Sequence, residues 1–510
     1  MYLHPSPRNS RAASSLAPHL AITQRGLPFT ASDGQAFVRL PLPSGGFFIL
    51  AVRSHAFRDW FFAQFYGEYD RLPTAHAFAT ILNHLEAQAA NDPANQRLAV
   101  FRRVGSRGPG IVPNQILLDL ANAEGQFVEI SPPGWQVTVG LNALLQTSRS
   151  TVELPTPTSS PEDPSASIET LRSCLNLPAR ADWLRCLAWL LAAIRPTGPF
   201  PFLVLQGPPG AGKTFTARLL RALVDPSTAP LTPVPHNTRH LFALARHNWV
   251  LAFDHISVLS PQLSDTLCRL SYGAGVSVRE VPTSDVSREP LLQYYRRPML
   301  FTVTGRWSPP PDFAARALTV SLPEISPAHR RSESDLLAVF SQSYPRIVGA
   351  LCTAVSTALA RVATIHLSDA PRYADALAWA MAAALALGCT ESEMQQAFTP
   401  PPADPFVQSI QALLASGTDW TGPAATLLKL LPPSPLYQTP KGLSQQLKSS
   451  AQSLAAAGIT LKFGRSPRGE RLISLRQTPF DASLENHAQD ASKTAAISLQ
   501  VPGRKDLIAA

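Results

Sequence analysis

The chain has 510 residues, a formal net charge of +9 and five cysteines, none of them in a Cys-x-x-Cys pair. This length predicts about three domains, each large enough to bury its own core. The scattered cysteines argue against a disulfide framework or a zinc site and favour a reducing, cytoplasmic location. The two most apolar helical stretches, 183–194 and 373–387, are shorter than the roughly 20 residues that span a bilayer, so we expect no membrane segment.

The first third of the chain changes in composition twice. Residues 1–33 are polar, rich in proline and serine and predicted to be disordered. Residues 34–150 are predicted to form a small α+β domain, and residues 151–167, which contain closely spaced prolines, are predicted to be a linker. Helices are expected at 56–65 and 74–90, and strands at 47–52, 98–101, 116–120 and 126–130.

The strongest motif in the chain is a glycine-rich sequence between an apolar run and a helical pattern. Residues 202–205 predict a buried strand, Gly-x4-Gly-Lys-Thr follows, and a helical pattern begins directly after it. In this context the motif is a P-loop, whose backbone N–H groups and helix N-terminus hold nucleotide phosphates. Lys213 is expected to contact the β- and γ-phosphates and the Thr214 hydroxyl to bind Mg²⁺. The expected ligands are ATP and Mg²⁺, held by Gly207, Pro208, Pro209, Gly210, Ala211, Gly212, Lys213 and Thr214.

Three later apolar runs are expected to form a parallel sheet with the P-loop strand. The run 249–253 ends at Asp254, and such a strand delivers a carboxylate to Mg²⁺ at the tip of the sheet. The run 299–304 contains Thr302, and Arg316 directly precedes the run 317–322. Residues 168–325 are therefore predicted to be a doubly wound α/β ATPase domain, followed by a helical bundle over 326–398.

Cations are concentrated at two places after the P-loop. Segments 276–281 and 291–295 predict a β-hairpin that carries Arg279 and Arg288. Its arginines line a pore or are simply solvated, and the sequence supports both alternatives about equally.

The C-terminal part is the second basic region. Residues 404–476 are predicted to form a winged-helix-like module, and residues 477–510 a disordered tail. Residues 441–476 contain seven lysines and arginines against one acid, and such a module presents cations to DNA phosphates. The alternative is a solvated basic face on a packing module. The predicted DNA-contacting residues are Arg279, Arg288, Lys441, Lys448, Lys462, Arg465, Arg468 and Arg471.

Residues 35–476 resemble the ATP-binding, helicase-like proteins of phages, plasmids and integrated elements, which are grouped with superfamily 3 helicases and primase–helicases. The resemblance rests on 54–65 (SHAFRDWFFAQF), the P-loop, 248–257 (NWVLAFDHIS), 263–269 (LSDTLCR), Arg279, Arg297-Pro298, 312–317 (DFAARA) and 439–464. It implies an AAA+-like sheet in a ring-forming homo-oligomer that acts on single- or double-stranded DNA in the replication of a mobile element. It also implies that Thr302 senses the γ-phosphate and that Arg316 is an arginine finger across a subunit interface.

The chain departs from this family at two positions. His255 stands where the family usually has Asn after the strand carboxylate, and Thr302 stands where a later strand commonly ends in Asn. Since neither supplies a second acid, Asp254 acts alone or an acid such as Asp265 assists it. Three hypotheses remain: an ATP-hydrolysing, helicase-like DNA motor, a non-hydrolysing nucleotide-gated DNA-binding protein, and a P-loop kinase of a small substrate. The kinase hypothesis leaves the basic C-terminal module without a purpose.

Overall fold

The computed structural model describes residues 17–91, 98–107, 114–140, 144–159, 164–278, 291–303, 307, 309–367, 372–399, 405–415, 419–434, 437–450, 454, 458–465 and 470–477. The chain divides into two compact units, residues 1–399 and residues 400–510.

The first unit begins with a three-stranded antiparallel sheet covered by helices. Its elements are α1 (17–23), β1 (Leu27–Thr30), β2 (Ala36–Pro41), β3 (Phe47–Ala51), α2 (His55–Tyr69) and α3 (Ala75–Asn91). The helix α2 starts at Ser54, whose hydroxyl accepts the N–H of Phe57, and it buries Phe57, Phe61 and Phe65 at four-residue spacing. The prediction of disorder up to residue 33 is wrong from residue 17 onward, because Ile22 and Phe29 are buried in this structure.

A second antiparallel sheet follows, with the strands in sequence order. They are β4 (Val104–Arg107), β5 (Gln115–Asp119), β6 (Phe127–Ser131) and β7 (Gly134–Thr138). The predicted strand at 98–101 is wrong, since Leu98 and Phe101 form only isolated bridges. The segment predicted as a linker contacts the rest of the unit: Leu154 is buried, and the N–H of Thr158 donates to the carbonyl of Pro345 at 3.1 Å.

A four-stranded parallel sheet forms the centre of the first unit, as the sequence predicts. The strands β8 (Phe202–Gln206), β9 (Leu251–Ile256), β12 (Met299–Val303) and β13 (Ala317–Ser321) lie in the order β13-β8-β12-β9. Alternate residues of β8 enter different hydrophobic cores, with Leu203 and Leu205 in one and Phe202 and Val204 in the other. Both faces of the sheet are thus covered, as is usual for parallel strands. The covering helices include α5 (Arg180–Ala193), α6 (Lys213–Ala222), α7 (Thr238–His247) and α8 (Pro261–Tyr272).

A buried ion pair joins the β4–β7 sheet to the parallel sheet. Nε of Arg103 lies 3.1 Å from Oδ1 of Asp225, and the two side chains are 1% and 7% exposed. The other carboxylate oxygen of Asp225 accepts the N–H groups of Trp249 and Val250, just before β9. Arg103 also donates to the carbonyls of Asp119 and Val152, so every charge of the pair is compensated.

The structure describes the two strands of the hairpin that the sequence predicts between β9 and β12, but not the turn that joins them. Strands β10 (Ala274–Val278) and β11 (Leu291–Tyr295) pair antiparallel, with Ala274 opposite Tyr295 and Val278 opposite Leu291. Arg279 and Arg288 lie outside the described residues, so their predicted DNA contacts stay predictions.

The first unit ends in the helices α10 (Glu333–Arg361), α11 (Ala374–Ala383) and α12 (Glu391–Phe398). α11 and α12 pack on α5, which lies on the parallel sheet, and α10 packs on α4 (Pro164–Ser173), β6 and β7. The short helix α9 (Pro311–Ala314) precedes β13. Among the described residues, one helical stretch, Pro327–Thr364, is long and apolar enough to cross a membrane by length and composition, although only two shorter stretches stood out in the sequence. In its most apolar window, 61% of the residues are buried inside the fold.

All five cysteines are buried and unpaired.

The second unit has a small core of its own. Its described elements are α13 (Pro405–Leu414), β14 (Trp420–Gly422), α14 (Ala424–Leu430), α15 (Pro440–Ser449), β15 (Ile459–Arg465) and β16 (Arg471–Gln477). β15 and β16 form an antiparallel hairpin, and β14 adds to the β16 edge. Leu427, Leu443, Leu447 and Leu475 from the helices and the hairpin fill the core between them.

Candidate nucleotide site

The glycine-rich loop connects β8 to α6 and depends on two glycines for its shape. A Cβ atom on Gly207 would lie 2.2 Å from the carbonyl oxygen of Leu322, so only glycine lets the loop pass this close to β13. Gly212 precedes α6 with φ 83°, a left-handed conformation that glycine adopts without strain. The helix therefore starts at Lys213 and points its unpaired N–H groups at the loop.

Lys213 lies folded against the loop. Its Nζ donates to the carbonyls of Gly207 at 2.7 Å and Pro208 at 2.8 Å. Partial burial lowers the pKa of Lys213, and the negative charge of Asp254 opposes this shift. The ammonium thus already lies within the loop that the sequence predicts for phosphate.

The structure brings the two predicted Mg²⁺ ligands together. The Thr214 hydroxyl at the start of α6 lies 3.2 Å from Oδ1 and 3.4 Å from Oδ2 of Asp254 on β9, and it donates to this carboxylate. The Asp254 side chain is 18% exposed, which leaves it open to one side. A hydroxyl and a carboxylate are both oxygen ligands of the kind that Mg²⁺ prefers.

Asp254 lies in a β-bulge, which the sequence did not predict. Phe253 pairs with Phe301 and Ile256 pairs with Val303, so Asp254 and His255 together stand opposite Thr302. His255 takes up the extra residue with φ 58°. A bulge of this kind turns side chains next to a site, and here it turns the carboxylate toward Thr214.

Thr302 on the neighbouring strand β12 holds both residues of this bulge through its hydroxyl. Its side chain is 1% exposed, and its hydroxyl accepts the His255 N–H at 3.0 Å while donating its own hydrogen to Asp254. Since its only hydrogen is used in this way, Thr302 supports the carboxylate and does not reach into the open side of the site. The His255 ring is 71% exposed, with Nε2 3.7 Å from Asp254.

Two predicted auxiliary residues lie apart from this group. Asp265 is on α8 and pairs with Arg269 at 2.8 Å. Arg316 lies at the start of β13, where its carbonyl accepts the N–H of Phe202, whereas the glycine-rich loop follows the other end of β8, about 13 Å along the strand. The Arg316 side chain is 12% exposed, donates to the carbonyl of Asp312 at 2.6 Å and stacks over Tyr272.

Five of the predicted DNA-contacting residues are described in the second unit, and all five are exposed: Lys441, Lys448, Lys462, Arg465 and Arg471. Lys441 and Lys448 lie on α15, and the other three lie on the hairpin. An aromatic ring, Phe463, is 45% exposed among them, and Nζ of Lys448 lies 5.4 Å from its centre. Arg468 lies outside the described residues.

Sequence reasoning missed one residue that supports the loop. The Asn176 amide donates to the carbonyls of Ala211 at 3.1 Å and Pro323 at 2.7 Å, and so bridges the glycine-rich loop to the segment after β13. Nothing in the sequence around Asn176 indicates this contact, because it joins residues far apart in the chain.

Two family models match the chain. One, described as actinomycete integrative conjugative element replication protein, matches residues 168–394, and the other, AICE RepA C-terminal domain, matches residues 406–490. Together they cover more than half of the sequence, including the whole nucleotide site and the described part of the second unit. No curated protein sequence matches the chain.

Similar solved structures include a region of NrS-1, an MCM homolog and a helicase. The C-terminal region of NrS-1 is 7% identical, with a TM-score of 0.38, over 91% of this chain and 100% of that one. An MCM homolog from Methanopyrus kandleri is 13% identical over 68% and 93% of the two chains, with a TM-score of 0.27. The JCV helicase is 14% identical over 50% and 65%, with a TM-score of 0.23. At these TM-scores the solved structures do not establish a shared fold or activity.

Proposed function

Because this chain belongs to the replication proteins of actinomycete integrative conjugative elements, we propose that it is an ATP-hydrolysing, DNA-acting motor that serves the replication of such an element. The observation that carries the proposal is the contact between Thr214 and Asp254, which joins the glycine-rich loop to the carboxylate on β9 at 3.2 Å. We expect the protein to act in the cytoplasm.

In this proposal the loop residues 207–214 hold the phosphates of ATP. The N–H groups at the start of α6 and the Lys213 ammonium supply the positive charge, since they already meet within the loop. Thr214 and Asp254, which share a hydrogen bond in the structure, would hold Mg²⁺, and the ion would neutralise charge on the β- and γ-phosphates.

Hydrolysis in this site relies on one carboxylate, that of Asp254, and on the residue that holds it, Thr302. Asp254 would orient the attacking water, and Thr302 holds Asp254 in place through the hydroxyl that also accepts the His255 N–H. We therefore assign Thr302 an indirect role in place of direct γ-phosphate sensing.

The proposed motor is a homo-oligomeric ring in which Arg316 acts on the site of a neighbouring subunit. Its distance from the loop of its own chain supports action in trans. To reach another subunit, the guanidinium must leave Asp312, which is 79% exposed and also lies 3.8 Å from Arg372. Arg372 can take over this carboxylate when Arg316 is released.

The second unit is the proposed DNA-binding module, with a winged-helix arrangement in which β15 and β16 form the wing. Its exposed cations suit a phosphate backbone, and the exposed Phe463 ring beside them suits stacking on a base. Single- and double-stranded DNA are both expected ligands.

The second candidate function is a nucleotide-gated DNA-binding protein that does not hydrolyse ATP. The observation that favours it is His255, which occupies the position where a second acid would polarise the attacking water and whose ring is 71% exposed.

Measurement of ATP turnover with and without single-stranded DNA separates these functions. A motor should hydrolyse ATP and be stimulated by DNA. Tight ATP binding without turnover in either condition would contradict the motor and support the gated binder. Turnover that ignores DNA but needs a small phosphate acceptor would support a kinase.

A further inference from the structure

The segment that follows β13, residues 322–331, lies along the glycine-rich loop. The N–H of Leu322 donates to the carbonyl of Gln206 at 2.8 Å, where β8 ends. Cδ1 of Ile325 lies 3.8 Å from the position that a Cβ atom of Gly212 would take, and Nη2 of Arg330 lies 3.8 Å from the same position on Gly210. The segment thus follows the loop from its first glycine to its last.

This 322–331 segment is anchored at both ends. The Asn176 amide binds the Pro323 carbonyl near its start and the Ala211 carbonyl of the loop. Near its end, Nη1 of Arg331 donates to the carbonyl of Ser173 at 3.1 Å. A short 3-10 turn, Pro327–His329, between the two anchors presents Arg330. The position of Arg330 beside the loop is therefore set by contacts that do not involve its own side chain.

Arg330 differs from the neighbouring Arg331 and Arg218 because its guanidinium has no partner among the residues that the structure describes. Arg331 is bound to Ser173, and Arg218 on α6 pairs with Glu333 at 2.6 Å. Arg330 is exposed, and among the residues that the structure describes it has no hydrogen bond or ion pair through its side chain. A free guanidinium next to a phosphate loop offers paired N–H donors that match two phosphate oxygens.

We propose that Arg330 binds the γ-phosphate of the nucleotide held by its own subunit and so distinguishes ATP from ADP. This inference rests on the proposed function of the loop. Lys213 and the N–H groups of α6 approach the phosphates from the inside of the loop. A guanidinium that approaches from the solvent side at Gly210 meets the terminal phosphate, which is present only in ATP.

The test compares ATP and ADP affinities of the full-length chain with Mg²⁺, using fluorescently labelled nucleotides, so it does not depend on turnover. Arg330→Ala should weaken ATP binding about tenfold and ADP binding less than about twofold, as expected for removal of one charge-assisted hydrogen-bonding group. The ATP affinity of Arg330→Lys should lie between those of the wild type and Arg330→Ala, because lysine keeps the charge but not the paired donors. Arg346→Ala is the matched control, since it removes the same charge from an exposed position on α10, and its ATP-to-ADP affinity ratio should equal that of the wild type.

A mixing experiment tests whether Arg330 serves its own subunit. Excess Lys213→Ala chain has an intact Arg330 but no nucleotide site of its own. Its addition to Arg330→Ala should not restore ATP affinity, and restoration would overturn the assignment to the same subunit.

The outcomes separate this inference from the proposed function. A wild-type chain that binds no nucleotide would overturn both. If the wild type binds ATP and Arg330→Ala binds ATP equally well, or loses ATP and ADP affinity equally, the role of Arg330 is wrong while the nucleotide site stands.

Discussion

A single buried hydroxyl determines the position of the carboxylate in this site. Thr302 takes one hydrogen bond from the His255 backbone and gives one to Asp254, so it satisfies both residues of the bulge. Supporting partners of this kind orient a metal ligand without touching the metal.

Thr302→Val keeps the shape of the side chain but removes the hydroxyl. We expect ATP hydrolysis to fall about 10- to 100-fold and the Mg²⁺ concentration needed for half-maximal nucleotide binding to rise, because Asp254 loses its support. Thr302→Ser, which keeps the hydroxyl, is the control and should stay close to wild type. A Mg²⁺ titration of nucleotide binding checks the prediction, and an unchanged midpoint in the valine variant would contradict it.

Lys213→Ala should weaken ATP binding about 100-fold while leaving the fold intact. The weaker binding follows from removal of the ammonium that meets the β- and γ-phosphates. Among the residues that the structure describes, this ammonium donates to two carbonyls of an accessible loop, so the variant keeps nearly all of its packing. Nucleotide affinity and the thermal midpoint of unfolding are measured on the same sample. If affinity is unchanged, the loop is not a phosphate site.

At the level of elements, sequence patterns predicted the strands that form continuous apolar runs and missed features that depend on how strands pair. The strands β8, β12 and β13 follow from apolar runs with clear ends, and β9 was found two residues too early because Trp249 and Val250 are equally apolar. In the first unit, β1, β2, β4 and β7 were missed because they belong to antiparallel sheets in which buried and partly exposed residues mix without a clear apolar run. The bulge at Asp254 could not be predicted, since it exists only relative to β12.

The site shows the same division. The glycine-rich loop with Lys213 and Thr214 was predicted from the spacing of neighbouring residues, and Asp254 was predicted from its place at the end of an apolar run. Asn176 and Arg330 come to the loop from segments before and after it, and no pattern in the chain connects them to it.

Arg316 permits a test of shared sites between subunits. Arg316→Ala should bind ATP nearly normally and hydrolyse it about a thousandfold more slowly, as expected for an arginine finger. Mixed with excess Lys213→Ala chain, which keeps its own Arg316, it should regain part of its turnover. Full activity of Arg316→Ala alone would mean that the residue serves only to hold Asp312 and Tyr272.

At the level of the whole molecule, nucleotide and DNA are assigned to different compact units. The loop and its carboxylate lie in residues 1–399, and the exposed cations of α15 and the hairpin lie in residues 400–510. Variants in one unit should therefore change the affinity for one ligand and leave the affinity for the other unchanged.

Replacement of Lys462, Arg465 and Arg471 by glutamine in the full-length chain should weaken DNA binding and leave ATP affinity unchanged. The slope of log affinity against log salt should become shallower by roughly one for each DNA phosphate that the variant no longer neutralises. A chain that ends at residue 403 should have a shallower slope still. DNA binding titrated at several salt concentrations checks both, and an unchanged slope would mean that these cations are only solvated.

The ion pair between Arg103 and Asp225 has a consequence for how such a protein can change by recombination. A crossover that replaces the N-terminal part up to residue 150 separates the arginine from its carboxylate, and a buried charge left without its partner costs about 3–5 kcal/mol. That is a large share of the stability of an ordinary domain. A hybrid therefore needs an arginine at the same place, and we expect the N-terminal sheets and the parallel sheet to be inherited together when such genes recombine.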